Sequence, residues 1–307
     1  MFISTFAELQ KHVRIDNDLD SVFILESESE ILDKYFLDHF GGALIVSLDL
    51  YRVSPIPEQL LAFKRMQKAV ANLMLLEYLA TGELKISSGG IFRPENDQVT
   101  TPYLQQIIRH AASLYDKAFT QLERLQELMY ANENKFLDWL NAPGYIRNES
   151  LFIRSASEFD KLIRIYHKFR TYQFLYPTIR TVQQLYVESR FSSAVISVVL
   201  APVPMTTVQA TFREHIQKAV AYFTQATAMS EGLVKVTQDG VRVIEHTPAT
   251  SNQVESKGEL AAISSNIKEY MDTGRRFISA AEKLFQDHPT EFGAAAPEDF
   301  VQKAEWL

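Results

Sequence analysis

Cysteine is absent from the 307 residues, which excludes disulfides, a thiolate zinc site and a cysteine nucleophile. Long apolar runs are missing too. None reaches the roughly 18 residues a membrane-crossing helix needs, and Met1-Phe2-Ile3-Ser4-Thr5 lacks the basic start and apolar core of a signal peptide. The expectation is a soluble protein made in a cytoplasm, with no membrane partner. Positive charge is in deficit: 31 Lys and Arg stand against 38 Asp and Glu, a net charge of -7. That balance argues against a surface that grips phosphate backbones broadly, while leaving room for a protein past which a nucleic acid merely slides.

Motifs of metal and phosphate chemistry are missing as well. The seven histidines, His12, His39, His110, His167, His215, His246 and His288, include no His-Glu-x-x-His or Glu-x-x-His spacing, so a two-metal carboxylate bundle finds no support. Glu8 and His12 stand four apart and suit a shared metal, but the second half of the chain has Leu162 in place of His12. Gly89-Gly90 precedes no helix in a phosphate-loop pattern, and no Gly-x-Ser-x-Gly occurs. Neither a cofactor nor a catalytic residue is expected.

What the chain does contain, it contains twice. Gln67-Lys68-Ala69-Val70-Ala71 returns at an offset of 150 as Gln217-Lys218-Ala219-Val220-Ala221. Gly82, Lys85 and Gly90 return as Gly232, Lys235 and Gly240, with aliphatics replacing aliphatics between them. Phe2, Ile3, Glu8, Lys11, Arg14 and Ile15 reappear as Phe152, Ile153, Glu158, Lys161, Arg164 and Ile165, and Ala111-Ala112 as Ala261-Ala262. Matches spread in one register over this distance indicate an internal duplication. The offset slips to 151 around Phe40/Phe191 and to 147 at Pro55/Pro202, as expected of loops. The reading is a mainly α protein of two tandem helical-bundle modules, 1–150 and 151–288, each with a small β-hairpin. Residues 289–307, ending near Trp306, form a tail or docking arm beyond the repeat.

Local signals give each module the same order. Thr5-Phe6-Ala7-Glu8 and Ser155-Ala156-Ser157-Glu158 are capping boxes that open a short helix. A helix from Asp20 to Phe40 stops at Gly41-Gly42, and its counterpart starts at Pro177, a residue suited to a first turn. The acidic run Glu26-Ser27-Glu28-Ser29-Glu30 suits a helix start, through the dipole, better than a cation site. Long helices follow from Glu58 to Thr81 and from Thr207 to Glu231, with apolar faces wide enough to be central. Alternating strands then flank Ser87-Ser88-Gly89-Gly90 and Thr237-Gln238-Asp239-Gly240, which makes Gly89, Gly90, Asp239 and Gly240 the hairpin turns, with Gly240 at positive φ. A second long helix runs from Thr101 to Tyr130, and its partner from Lys257 to Phe285.

On the long helices Lys64, Arg65 and Lys68, with Arg213 and Lys218 in the second copy, form either an ordinary solvated face or an interface with an acidic partner or nucleic acid. Together with Trp306 they are the candidate interface residues. The aromatic cluster Tyr166, Phe169, Tyr172, Phe174 and Tyr176 reads as core rather than as a docking surface.

The opening Phe2-Ile3-Ser4-Thr5-Phe6-Ala7-Glu8-Leu9, the helix end from Tyr35 to Gly41 and Leu84-Lys85-Ile86-Ser87-Ser88-Gly89-Gly90-Ile91 before the Thr101 helix together resemble the helical head-tail connector, or adaptor, proteins of tailed bacteriophages. They look most like a branch found in phages and prophages of gut Bacteroidota. The likeness spans about 1–130 and, more faintly, 151–285, and rests on hydrophobicity and glycine patterns rather than catalytic motifs. It implies a structural virion protein made in a bacterial host and placed at the head-tail junction. Such a protein self-associates in a ring, contacts the portal and the tail or neighbouring connector proteins, and passes DNA without sequence recognition or catalysis. The usual adaptor has one module, so the doubled module puts copy number and ring symmetry in question. Two other readings stand beside it: a helical scaffold or protein-binding module that forms no ring, and a helical enzyme with a site between modules.

Overall fold

A computed structural model describes residues 1–13, 26–81, 85–87, 90–92, 104–166, 168–201, 204–237, 240–243 and 257–293. The chain is mainly helical and divides into two compact units, Met1–Arg147 and Asn148–Leu307.

The first unit opens with Phe2 and Ile3, fully buried, ahead of α1 (Phe6–Gln10). Thr5 caps α1 by accepting from the Glu8 amide, and the Glu8 carboxylate reaches back to the amide of Ser4 at 2.8 Å. Next come α2 (Glu28–Tyr35) and α3 (Leu37–Leu50), which continues as a 3-10 turn over Tyr51–Val53. Gly41 has φ 71° and ψ 155°, which breaks α3 near its start. The expected stop at Gly41 is therefore a kink between helical stretches, and the segment after it, unassigned in sequence, is helical. α4 (Pro57–Thr81) and α5 (Leu104–Ala131) form the central pair, with β1 (Lys85–Ser87) and β2 (Gly90–Phe92) antiparallel between them in sequence. After a 3-10 turn at Glu133–Lys135, α6 (Leu137–Leu140) and α7 (Pro143–Glu149) close this end, and the division between the units falls within α7.

The second unit repeats the plan. Phe152 and Ile153 are fully buried, and Ser155 caps α8 (Ala156–Leu162) while Glu158 accepts from the amide of Arg154 at 2.6 Å. α9 (Lys168–Gln183) begins nine residues before Pro177, which lies inside it, so the proline does not mark its first turn. Proline in a helix removes one i to i−4 hydrogen bond, and α9 tolerates it beside the buried Leu175, Thr178 and Ile179. α9 runs into a π-turn at Gln184–Glu188, then α10 (Ser193–Leu200), capped by Ser192. α11 (Thr207–Ser230) and α12 (Lys257–Asp287) are the central pair, with β3 (Val234–Thr237) and β4 (Gly240–Val243) antiparallel.

α11 starts with a full capping box between Thr206 and Gln209. It ends in a Schellman motif: Gly232 takes φ 68°, its amide reaches the Met229 carbonyl, and the Leu233 amide reaches that of Ala228 at 2.9 Å. The register pairs Ser87 with Gly90 and Thr237 with Gly240, so these two glycines open strands instead of standing at the turn centre; Gly89 and Asp239 lie outside the described residues.

The duplication is visible in individual hydrogen bonds. The Gln67 side-chain amide donates to the Phe2 carbonyl at 2.9 Å, and Gln217 donates to that of Phe152 at 2.8 Å. The Gln59 amide donates to the Lys135 carbonyl at 2.8 Å, and Gln209 to that of Glu291 at 2.6 Å. Gln59 and Gln209 are 150 apart, whereas Lys135 and Glu291 are 156 apart, so the second copy has gained six residues in between.

Burial locates the shift. Ala118, Leu122, Leu125 and Met129 of α5 are matched at 156 by Gly274, Ile278, Ala281 and Phe285 of α12, all buried. The correspondence of Ala111-Ala112 with Ala261-Ala262 therefore fails, because at 150 the core of α5 would fall on Lys268, Asp272 and Arg275. The same shift corrects the expected tail. Asn132 and His288 precede matching 3-10 turns with φ/ψ of -139°/44° and -136°/51°. Phe292, fully buried, packs on Phe212 and Phe285 with ring centroids 4.9 and 5.4 Å apart. The repeat thus reaches Phe292; residues 294–307, with Trp306, lie outside the described residues.

Gln67→Leu and Gln217→Leu each strand a carbonyl beside a buried phenylalanine, and each is expected to lower stability by about 1–3 kcal/mol. Chemical denaturation of the two variants checks this, and the larger loss is expected for Gln67→Leu, which also gives up a bond to His12, where the second copy has Leu162.

Candidate functional site

Three features of the first module stand out: a buried carboxylate, a buried histidine and a pair of charged faces. Glu28 turns inward from the start of α2, 2 % exposed, and accepts from the amides of Phe2 at 2.7 Å and Ile3 at 3.0 Å. Burial raises its pKa, and those two amides work against the rise. The acidic run is thus divided, with Glu28 serving the core and Glu26 and Glu30 exposed. In the second module a neutral amide grips the opening strand: Gln183 Oε1 accepts from the Phe152 amide at 3.0 Å, and its Nε2 donates to the Ser150 carbonyl at 2.9 Å. Glu28 accepts through both oxygens, so a glutamine here turns an amide donor against one of the two N–H groups, and Glu28→Gln is expected to lower stability by about 1–3 kcal/mol, which a melting curve will show.

His39 sits at the other end, buried among Phe40, Trp139 and Gly144. Gln126 Nε2 is 3.4 Å from its Nε2, and Arg147 Nη2 is 3.4 Å from its Nδ1. Burial first, and the Arg147 charge second, lower its pKa to about 3, so the ring is neutral. Tyr130 and Tyr145 meet Trp139 edge to face, and the Tyr145 hydroxyl donates to Glu133 at 3.2 Å. The equivalent pair in the second module, at offsets 151 and 156, is Arg190 and Glu282, an ion pair at 2.7 Å that is partly open to solvent. One junction between helices is thus dry and aromatic in one copy and ionic in the other. Sequence reading missed His39 because nothing in its local spacing marks it.

The candidate interface residues divide between the modules. Lys64 and Lys68 are exposed on the outer face of α4. Arg65 is half-buried and donates to the Arg124 carbonyl; burial, then the Arg124 charge, lowers its pKa. His12 lies near Gln67, Lys68 and Lys11, and its pKa is lowered chiefly by burial, against the bond to Gln67. The second-copy residues are engaged internally: Lys218 meets Glu214 at 2.5 Å and lies 5.4 Å from the centre of the Phe277 ring, while Arg213 is half-buried near Arg154 and Glu158, its pKa lowered by burial first. In the aromatic cluster Phe169 and Tyr172 are core, and only Phe174 is exposed, at 40 %. Val46, Leu50 and Val53 are exposed along α3 and its 3-10 extension, a surface the sequence hid because that helix was unassigned. Among the described residues no three His, Asp or Glu side chains converge as a metal site, and no helix is long and apolar enough to cross a membrane.

Fold and faces together define a tandem duplication of one mainly helical module, with the framework kept in both copies and the surfaces diverged. The model of DUF6712, a family of unknown function, matches the chain twice, over 33–149 and 182–295, and the chain belongs to that family. Comparison with curated proteins and with solved structures gave no match.

Proposed function

We propose that the protein is a structural component of a phage particle, an adaptor that assembles with copies of itself at the head-tail junction, between portal and tail, around a DNA channel. The observation that carries the reading is what the duplication has kept. The contacts shared by both modules are framework contacts, Gln67 and Gln217 on the opening strand, Gln59 and Gln209 on the closing turn. The polar groups nearest to a chemical site, His39 with Gln126 and Arg147, give way in the second copy to a surface ion pair. A role exerted through shape and surface survives that exchange; one that required both copies of a reactive group would not. The sequence resemblance to connector proteins supplies the particular setting, and the acidic balance suits a channel along which DNA slides.

The test is to image particles of the source phage and locate the chain. Copies ringed around the channel under the portal support the proposal. Absence from purified particles removes it, and density elsewhere in the tail keeps the virion role but not the junction.

A further inference from the structure

Duplication supplies an internal control for surface residues, since whatever the module needs in order to fold must be present in both copies. The outer face of α4 in the first module carries exposed Lys64 and Lys68, with exposed Lys11 near His12 and with Arg65 beside Arg124. Among the described residues Lys11, Lys64 and Lys68 make no ion pair. The second module has Glu214 for Lys64, His215 for Arg65 and, at the shifted register, Ala280 for Arg124; Lys218 is neutralised by Glu214 at 2.5 Å. The outer face of α2 has the opposite character: Glu26, Glu30 and Asp33, with Asp38 beyond them, are all exposed. At an offset of 151 their counterparts are Pro177, Thr181, Gln184 and Ser189. Lys64, Arg65, Arg124 and the four acidic residues are thus not requirements of the fold, while Lys11 and Lys68 recur as Lys161 and Lys218.

Near Lys68 the two faces point in opposite directions. α2 meets α4 at Glu77, which takes Lys34 at 2.6 Å and the Tyr35 hydroxyl at 2.8 Å. Glu77 comes nine residues after Lys68, and at about 100° per residue that is half a circle around the helix. At that end the acidic stripe lies beyond α2, away from Lys68, while the start of α2 is tied by Glu28 to the strand that opens α1.

We propose that these faces are the two halves of one contact between copies of this chain, the basic face of α4 and α1 on one copy receiving the acidic stripe of α2 on the next. A second copy is the occupant because the complementary charge is carried by the same module, on the side where a head-to-tail contact needs it. A contact between unlike faces leaves one of each kind free, so it repeats, closing into a ring where the rotation allows. This rests on the self-association in the proposed function and gives it residues.

The experiment is sedimentation velocity on the full chain, at about 50 mM and about 500 mM salt, where screening separates surface charge from apolar contact. The wild type is expected to associate at low salt and to weaken about tenfold or more at high salt. Lys64→Glu with Lys68→Glu, and separately Glu30→Lys with Asp33→Lys, are each expected to remain monomeric, while an equimolar mixture of the two variants reassembles. Should a reversal variant melt early, the alanine versions at the same positions are measured instead, with loss of association again expected. A wild type that is monomeric at low salt, an association that survives both reversals, or a mixture that stays monomeric overturns the proposal. So does a monomeric wild type whose basic face instead retains a DNA duplex in a mobility assay, with the retention lost in the Lys64 and Lys68 variant. Particle imaging bears on the junction alone, so a chain absent from virions yet passing the mixing test removes the adaptor reading and leaves this contact in place.

Discussion

Gly144→Ala is expected to destabilise the first module by about 3 kcal/mol. A Cβ at this position would lie 2.3 Å from His39 Nδ1, 2.4 Å from Cε1 and 2.6 Å from the His39 carbonyl oxygen. The ring cannot retreat, because Phe40 and Trp139 stand with centroids 4.8 and 5.7 Å from it, and the carbonyl belongs to the backbone of α3. Either α7 lifts away or α3 shifts, and both open the aromatic cluster around Trp139. Gly42→Ala is the control: its Cβ would meet only Leu37 Cδ1, at 3.9 Å. Alanine in a helix is favoured over glycine by roughly 0.5–1 kcal/mol, so that variant should match or exceed the wild type. Denaturant unfolding of the pair decides the matter, and a Gly144→Ala protein as stable as the wild type would show that α7 does not sit on His39.

The second large effect is a loss of stability in acid that belongs to His39. Its pKa is about 3 in the folded chain and 6.5 at its ordinary value. Between those values the unfolded chain binds the proton and the folded chain does not, so stability falls as pH is lowered from about 6.5 toward 3 and is fully present above that window. The slope from one such group approaches about 1.4 kcal/mol per pH unit, which sums to a few kcal/mol across the window. Glu28 acts in the opposite sense: its raised pKa means that the folded chain holds the proton longer, so its share of stability is present at low pH and is lost as pH rises through the folded value. The two are separated by difference. Stability against pH for His39→Gln should lose most of the fall beginning near 6.5, keeping only the share of His12, whose pKa burial also lowers, while Glu28→Gln should retain the whole of it. A His39→Gln curve parallel to that of the wild type would refute the assignment.

The duplication, the long central helices and the capped short helices that open each module were legible in the sequence, because they rest on spacing and on residues with strong local preferences, whereas the helical stretch after Gly42 and the helix Ser193–Leu200 were not. Gly232 could be read as the stop of a long helix for the same reason, and it closes a Schellman motif. The register of α12 could not, since Ala261-Ala262 repeats Ala111-Ala112 by composition while the core repeats six residues later; identity misled where burial periodicity, Gly274, Ile278, Ala281 and Phe285, would have corrected it. Pro177 looked like a helix start because proline favours that position, yet α9 begins at Lys168, where packing of Phe169 and Tyr172 outweighs the lost hydrogen bond. Among the candidate interface residues the sequence could not separate Lys68 from Lys218, the same residue on the same helix, because the difference lies in their neighbours. Glu214 and Phe277 hold Lys218, whereas Lys68 is left open.

Gly274 packs where a Cβ would come within 2.7 Å of the Phe223 ring. The corresponding pair in the first module is Ala118 and Leu73, both fully buried. Volume has moved across the seam between the two long helices, from one partner to the other, since the copies parted. A recombination event that carried the first repeat's α5 into the second would set a methyl group into the phenylalanine, and the reverse exchange would leave a void beside Leu73. The long helices are therefore not interchangeable between the modules, since each is shaped to its own partner across the seam.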